Sequence, residues 1–452
     1  MMQKTDFITE PSKKIPVTGR ADVVICGGGP SGFIAAIAAA RNGAKTLLIE
    51  HYGFLGGMAT AGMVGPISKF NCNGERIVRG IPDEFLHRMH DLQGAVIDLP
   101  SGNIPYDPEV YKYISLRMVE EAGVQVLLHT SVVGCIPGED MPGCISHILV
   151  ENKSGRQAIE ARYIIDCTGT GDVISRSGLP WEFRNKKKGE LQPMSLFFRL
   201  GGVNTADIKI VMAQDGVKYA NRELGKLLEA EMAGNRIHNF GGPWAVQGST
   251  IRQGEVSVNA TRYKGNAAVG RDISDAEQQL RKDVFAITNA FRKHNPAFKD
   301  AYLIDTATQV GIRETRGIIG LYTMQAADIL EPRDFEDTIA YGAHPIDIHR
   351  SDTPQQEVNF INKPYPIPYR ALVPAGSRNV LVAGGCLSAT REAFASVRVQ
   401  AQCMALGEAA GVAAAMCAGK QIGVSELSGH ELRQQLARQG ALVYRVEGSY
   451  TQ

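Results

Sequence analysis

The segment from Asp22 to Glu50, DVVICGGGPSGFIAAIAAARNGAKTLLIE, restricts what this chain can fold into more than any other. Asp22 to Cys26 is a short apolar run suited to a buried parallel strand. Gly27, Gly29 and Gly32 make a G-x-G-x-x-G turn, and Ser31 to Asn42 has a helical composition that stops at Gly43. Lys45 to Ile49 reads as a second strand and delivers Glu50, about twenty residues beyond the turn. Strand, turn, helix, strand and acid in that order predict a βαβ unit that holds an adenine dinucleotide. Gly27 permits the tight turn, Gly29 lets the backbone approach a pyrophosphate, and Gly32 lets helix and strand close on each other. Pro30 and Ser31 open a helix whose N–H groups face the anion. The Glu50 carboxylate is the expected acceptor for ribose hydroxyls and repels a 2′-phosphate, which disfavours NADP.

A chain of 452 residues exceeds one simple core, so two joined domains are expected. The 48 Lys and Arg against 47 Asp and Glu give a formal net charge of +1, and no long-range field favours a polyanion such as nucleic acid. The first twenty residues carry charges and no apolar run, so no secretory signal is expected and the cytoplasm is the default compartment. Ala401 to Gly419 is built of Ala and Gly and interrupted by Glu408, which predicts a close-packed buried helix rather than a membrane span. The eight cysteines contain no C-x-x-C pair, and neither a disulfide framework nor a metal site follows.

After Glu50, HYGFLGGMATAGMVGP is a Gly-rich loop able to lie against a flat ligand. Val124 to His129 and Ile145 to Glu151 read as strands, and the turn at Asn152 to Gly155 with Arg156 to Ile159 suggests a hairpin. Ala161 to Asp172, ARYIIDCTGTGD, is a further apolar strand entering a Gly- and Thr-rich turn. From about Leu179 the character shifts to mixed polar segments, and Asn379 to Gly385 returns to the buried-strand pattern. The expected organisation is a discontinuous α/β, Rossmann-like domain over 19–178 and 371–425. An inserted, mainly antiparallel α+β substrate domain occupies 179–370, and a helical tail 426–452.

Together, GGGPSG at 27–32, FLGGMATAG at 54–62, DCTGTGD at 166–172, GIRETRGIIGLYT at 311–323, IPYRALVP at 367–374 and the run VAGGCLSATREAFASVRVQAQCMALGEAAGVAAA at 382–415 resemble a known group. It is the FAD-dependent oxidoreductases with a glutathione-reductase-type FAD domain, including the flavin module of the heterodisulfide reductases. The resemblance implies FAD rather than NAD, bound between the two domains. It implies that Gly27, Gly29 and Gly32 face the pyrophosphate and that Glu50, with His51 beside it, faces the adenosine ribose. Gly57, Met58 and Ala59 would run towards the ring, Val133 would sit near the adenine, and Thr168, Gly169 and Asp172 would support the adenosine half. Gly384 and Gly385 would flank the ribityl chain. Ala395, Ser396, Val397 and Arg398, at the start of the last long helix, would meet the pyrimidine end of the flavin, where a helix N-terminus and an arginine stabilise negative charge. The chain departs from the family pattern in three places. Gly384-Gly385 replaces Gly-Asp, Ala389 to Phe394 lacks two histidines, and the iron–sulfur cysteines are missing.

With one dinucleotide fingerprint and no redox cysteine pair, electrons are exchanged directly with a small substrate and a second, unidentified donor or acceptor. Oxidising an alcohol or amine also needs a base. His344 and His349 are the candidates. Arg313 and Arg316, three apart, share a face if helical and suit a carboxylate or the flavin's edge. Tyr369 and Arg370 are candidates to line the pocket and Arg391 and Glu392 to lie near the ring; Cys386 reads as a small buried filler. The expected function is hydride transfer between FAD and a small hydroxylated or carboxylated metabolite. The alternatives are an electron-transfer flavoprotein that works with an iron–sulfur partner and, less favoured, a flavin monooxygenase. Homo-oligomerisation is compatible with the sequence.

Overall fold

The computed structural model describes residues 8–444 apart from 98, 100, 139–141, 186–190, 209–221, 246–249, 352, 354 and 355. Strand β1 (Val17–Cys26) leads into helix α1 (Pro30–Arg41) and strand β2 (Thr46–Ile49). Val23 to Cys26 are wholly buried, as a parallel strand covered on both faces requires. Ser31 to Ala39 are buried without interruption, so α1 has no solvent face over that length and must be enclosed by other elements. Helices α2 (Ile81–Asp91) and α3 (Pro108–Glu121) supply part of that cover, with Phe33, Phe85 and Tyr111 in mutual ring contact.

Strands β3 (Gln125–Leu127), β4 (Ser131–Pro137), β5 (Ile145–Asn152) and β6 (Gly155–Asp166) complete a sheet in the order β3-β2-β1-β6-β5-β4. The two strands expected over 156–159 and from 161 are one. No turn residue separates Ile159 from Ala161, and β6 runs through, antiparallel to β5 over its first half and parallel to β1 along most of its length.

A second core follows. Strands β7 (Phe198–Gly201), β8 (Phe240–Ala245) and β9 (Val256–Thr261), helix α4 (Gly270–His294) and strand β10 (Tyr302–Thr306) form it. The sheet is antiparallel in the order β8-β9-β7-β10. Helix α4 buries Ala276, Leu280, Val284, Ile287 and Phe291, a single stripe at three- and four-residue spacing. The inserted unit expected over 179–370 divides in two. Its buried apolar residues from Met194 to Val310 form the second core, whereas Ile318, Ile339 and Tyr365 pack into the first.

Strand β11 (Ile346–His349) lies in a small hairpin, and β12 (Val380–Val382) returns to the main sheet, parallel to β6. A short helix, α5 (Arg391–Val397), breaks at the extended Val399 before α6 (Gln400–Lys420) begins. Residues 395–398 therefore end one helix rather than begin the long one. Among the described residues α6 is the one helix long and apolar enough to cross a membrane, and most of it is buried inside the protein. It lies directly on α1. A Cβ on Gly407 would stand 2.1 Å from the Ser31 carbonyl oxygen, and one on Gly411 2.3 Å from that of Ala35. Gly411→Val is accordingly expected to lower stability by about 3 kcal/mol; an unchanged urea midpoint would contradict this close approach. Helix α7 (Gly429–Arg438) adds Leu432 and Leu436 to the first core, and residues 445–452 of the expected tail lie outside the described residues.

Candidate cofactor and substrate site

The strand ends of the main sheet are flush. Cys26 is in register with both Ile49 and Asp166, Ile49 with Leu127, and Val382 with Asp166. Gly27, Glu50, Cys167 and the segment before Gly384 thus leave one edge, the carboxyl edge at which open α/β sheets bind ligands. Gly27 holds φ +98°, and a Cβ on Gly32 would stand 1.8 Å from the Gly27 carbonyl oxygen, so turn and helix meet with no room for side chains. The buried Glu50 carboxylate accepts from Gly28 N (2.6 Å) and Tyr52 N (2.8 Å), and His51 Nδ1 lies 2.8 Å away. It braces the turn from the next strand.

Asp166, absent from the expected site residues, organises the loop after β6. Its wholly buried carboxylate accepts from Thr168 N and Oγ1, Val173 N and Ile174 N at 2.7–3.0 Å. Arg184 does the same for the loop after β12. It donates to the carbonyls of Gly385, Leu387 and Ala389 and lies 3.6 Å from the centre of the Phe394 ring. Asp166 opens the DCTGTGD motif and ends a buried strand, signals that could have marked it; the sequence held none for Arg184.

A cavity of about 440 Å³ opens along this edge and is closed on its far side by Ala267, Ala268, Gly270, Ile273, Gln309, Ile312 and Arg313 around the second core. Gly27, Gly29, Pro30 and Ser31 line it, as do Glu50, His51, Gly57 and Met58. Thr168, Gly169, Asp172, Gly384, Gly385 and Arg398 line it too. Six expected residues do not. Gly32 and Ala59 are packing positions behind the wall. Val133 gives way to Val132, because neighbouring residues of β4 face opposite sides of the sheet. Ala395, Ser396 and Val397 are buried in α5, where Ser396 Oγ donates to the His344 carbonyl.

The expected catalytic candidates are not gathered at the cavity. Tyr369 is buried and donates its hydroxyl to Val424 O at 2.8 Å, and Arg370 forms a two-pronged pair with Asp337 at 2.9 and 3.1 Å. Arg391 lies 3.3 Å from Glu314, Glu392 is exposed in the first turn of α5, and His344 Nδ1 bonds to Pro345 O. Cys386 is buried and its thiol is pushed well up by desolvation. Arg313 and Arg316 do not share a helix face. Gly311 bridges to Ser195 in extended conformation, and Arg316 begins a strand and donates to Thr170 O.

The other end of the cavity is basic. Arg313 Nη1 donates to Pro193 O (2.6 Å) and Ser195 Oγ (2.8 Å); Arg262 Nη1 donates to the same Ser195 Oγ and to Asn259 Oδ1, both at 2.7 Å. Arg398 Nη2 donates to Asp347 O at 3.2 Å. Behind them His349 stands between Arg262 (3.4 Å from Nδ1) and Asp347 (3.4 Å from Nε2). Burial opposes charge on both members of this pair. It wins at His349, pushed down to about 3 and repelled by Arg313 and Arg262; it loses at Asp347, which His349 and Arg398 hold well below the usual carboxylate range. His349 is buried and lies outside the cavity wall.

The family model described as FAD dependent oxidoreductase matches residues 22–436. The chain belongs to the FAD-dependent oxidoreductase family. Thiamine thiazole synthase of Methanococcus vannielii is 32% identical to this family member over 166 residues, covering 33% of the chain and 56% of that protein. Mitochondrial dihydrolipoyl dehydrogenase 2 of Arabidopsis thaliana is 32% identical over 208 residues, covering 46% and 37%. The chain thus spans 56% and 37% of the length of these two relatives. A geranylgeranyl bacteriochlorophyll reductase-like structure from Thermoplasma acidophilum covers 93% of this chain and 84% of its own at TM-score 0.48 and 14% identity.

FAD is the cofactor of this oxidoreductase, and the residues present fit it. Helix α1 starts with no side-chain cap and no acid in its first turn, which leaves its N-terminus to an anion. A Cβ on Gly29 would touch only Gly57 Cα, at 3.8 Å, and one on Gly169 would touch nothing within 4 Å, so both backbones face open space.

Proposed function

We propose that this oxidoreductase transfers a hydride between FAD and a small polar metabolite, hydroxylated or carboxylated. The observation that carries the reading is one continuous cavity with the fingerprint turn at one end and Arg313 and Arg398 at the other. Bound FAD supplies the two-electron hydride acceptor or donor. In this reading Gly27, Gly29 and the α1 N-terminus hold the pyrophosphate, and Glu50 takes the ribose hydroxyls. Thr168 to Asp172 and Gly384-Gly385 flank the cofactor. Residues 19–178 and 371–425 form the FAD-holding part, while the second core supplies the opposite wall and excludes water. The order of motifs also supports kinship with the flavin module of the heterodisulfide reductases.

The test is anaerobic mixing of the purified yellow protein with hydroxy acids, polyols, sugars and amines, following loss of the flavin's visible absorption. Bleaching by at least one compound class is expected. A protein that is colourless and cannot be reconstituted with FAD would sink the reading. A yellow protein that no small molecule bleaches would replace direct hydride transfer by electron exchange with an iron–sulfur partner.

A further inference from the structure

We propose that Arg313 and Arg398, backed by the buried Arg262, form a carboxylate-binding clamp at the basic end of the cavity, and that the substrate carries the carboxylate that completes it. This rests on the hydride-transfer reading above and narrows its substrate class. The three guanidinium groups come from the end of β9, the segment after the second core and the break between α5 and α6. Ser195 Oγ brings two of them together. Its proton goes to Thr261 O at 2.6 Å, and its lone pairs accept from Arg262 and Arg313. Asn259 Oδ1 is a second shared acceptor, at 2.7 and 3.5 Å.

The charges around this group do not balance. Asp347 is the carboxylate among the three arginines, and its nearest side-chain partner is His349. Glu314, the next acid, is turned towards Arg391 and accepts from Gln192 N and Nε2. His344 and His349 add no negative charge. Among the described residues, three guanidiniums against one carboxylate leave two positive charges in a desolvated place, an arrangement that persists only with anions at hand. Desolvation pushes all three groups down, Arg262 to about 10, and repulsion from neighbouring arginines adds to it at Arg262 and Arg313.

FAD in its reduced, anionic form would match one of the two charges. The other needs an anion that enters with the substrate. Arg313 and Arg398 open onto the cavity to receive it, and among the described residues the buried Arg398 Nε has no hydrogen-bond partner. Planar, forked donors suit a carboxylate.

The probe is titration of the yellow holoprotein with acetate, glycolate and succinate at constant ionic strength, with chloride and inorganic phosphate as comparison arms. Readouts are perturbation of the flavin spectrum and the rise in Tm. Saturable perturbation by the carboxylates and at least tenfold weaker binding in Arg313→Met are expected, with flavin content and cooperative unfolding retained. Arg313→Lys, intermediate in affinity, covers the case in which the methionine variant does not fold. The clamp is overturned if the yellow protein responds to no carboxylate or if Arg313→Met binds them as tightly. A colourless protein is a failure of the FAD reading instead; the Tm titration with acetate then still decides the clamp.

Discussion

Gly29→Val should yield a folded protein that no longer holds FAD. Gly29 has φ −67° and ψ −173°, an extended conformation open to any residue, and its added Cβ meets only Gly57 Cα at ordinary contact distance. The protein alone tolerates the side chain; the pyrophosphate that must approach this backbone does not. A Kd for FAD at least 100-fold weaker is expected, about 2.7 kcal/mol, with a Tm close to that of the flavin-free wild type. Gly27→Val serves as the contrast. Its Cβ would fall 2.5 Å from the Cys167 carbonyl oxygen in a left-handed conformation, so that variant should fail to fold. A Gly29→Val protein that purifies fully yellow would exclude pyrophosphate binding at this turn.

The second large effect concerns Glu408, a carboxyl in the middle of α6. Its oxygens lie against Gly80, and Oε1 accepts from Ile81 N at 3.3 Å, at the start of α2. Burial pushes it up to about 8, outweighing the Ile81 N–H and the Arg41 charge. A carboxyl raised in the folded state binds more protons folded than unfolded, so stability is greatest below the unfolded value near 4.5 and falls as pH rises towards 8. The whole loss is roughly 4–5 kcal/mol. Glu408→Gln should remove most of it: close to wild type in urea midpoint at pH 5, and clearly more stable at pH 9. Parallel pH profiles for the two proteins would mean that Glu408 is ionised in the fold at no cost.

What the sequence could and could not disclose follows from how each feature is encoded. The βαβ unit is local, since strand, turn, helix and acid lie within one stretch of chain whose spacing is itself the geometry. The α6 helix was legible from composition, because only Ala and Gly allow its approach to α1. Val133 against Val132 shows the limit of strand reading: a one-residue error reverses the face. The RETR segment shows another. Spacing of three suggested a helix, but Gly311 pairs with Ser195 and sends Arg313 and Arg316 to different places. Tyr369 and Arg370 adjoin β12 in sequence without adjoining its ligand edge. Arg313 and Arg398 were singled out one at a time, but their meeting with Ser195, Asn259 and Arg262 was illegible because the five residues come from four segments that only the tertiary fold assembles.

The enclosure of α1 by α6 also bears on how the protein is made. Helix α1 leaves the ribosome with apolar residues on every side, while its principal cover and the partner strand β12 are encoded more than 300 residues later. At about 5–20 residues per second, that surface waits on the order of 20–70 s for its complement. Until α6 has been made, the nascent helix is an aggregation-prone apolar surface.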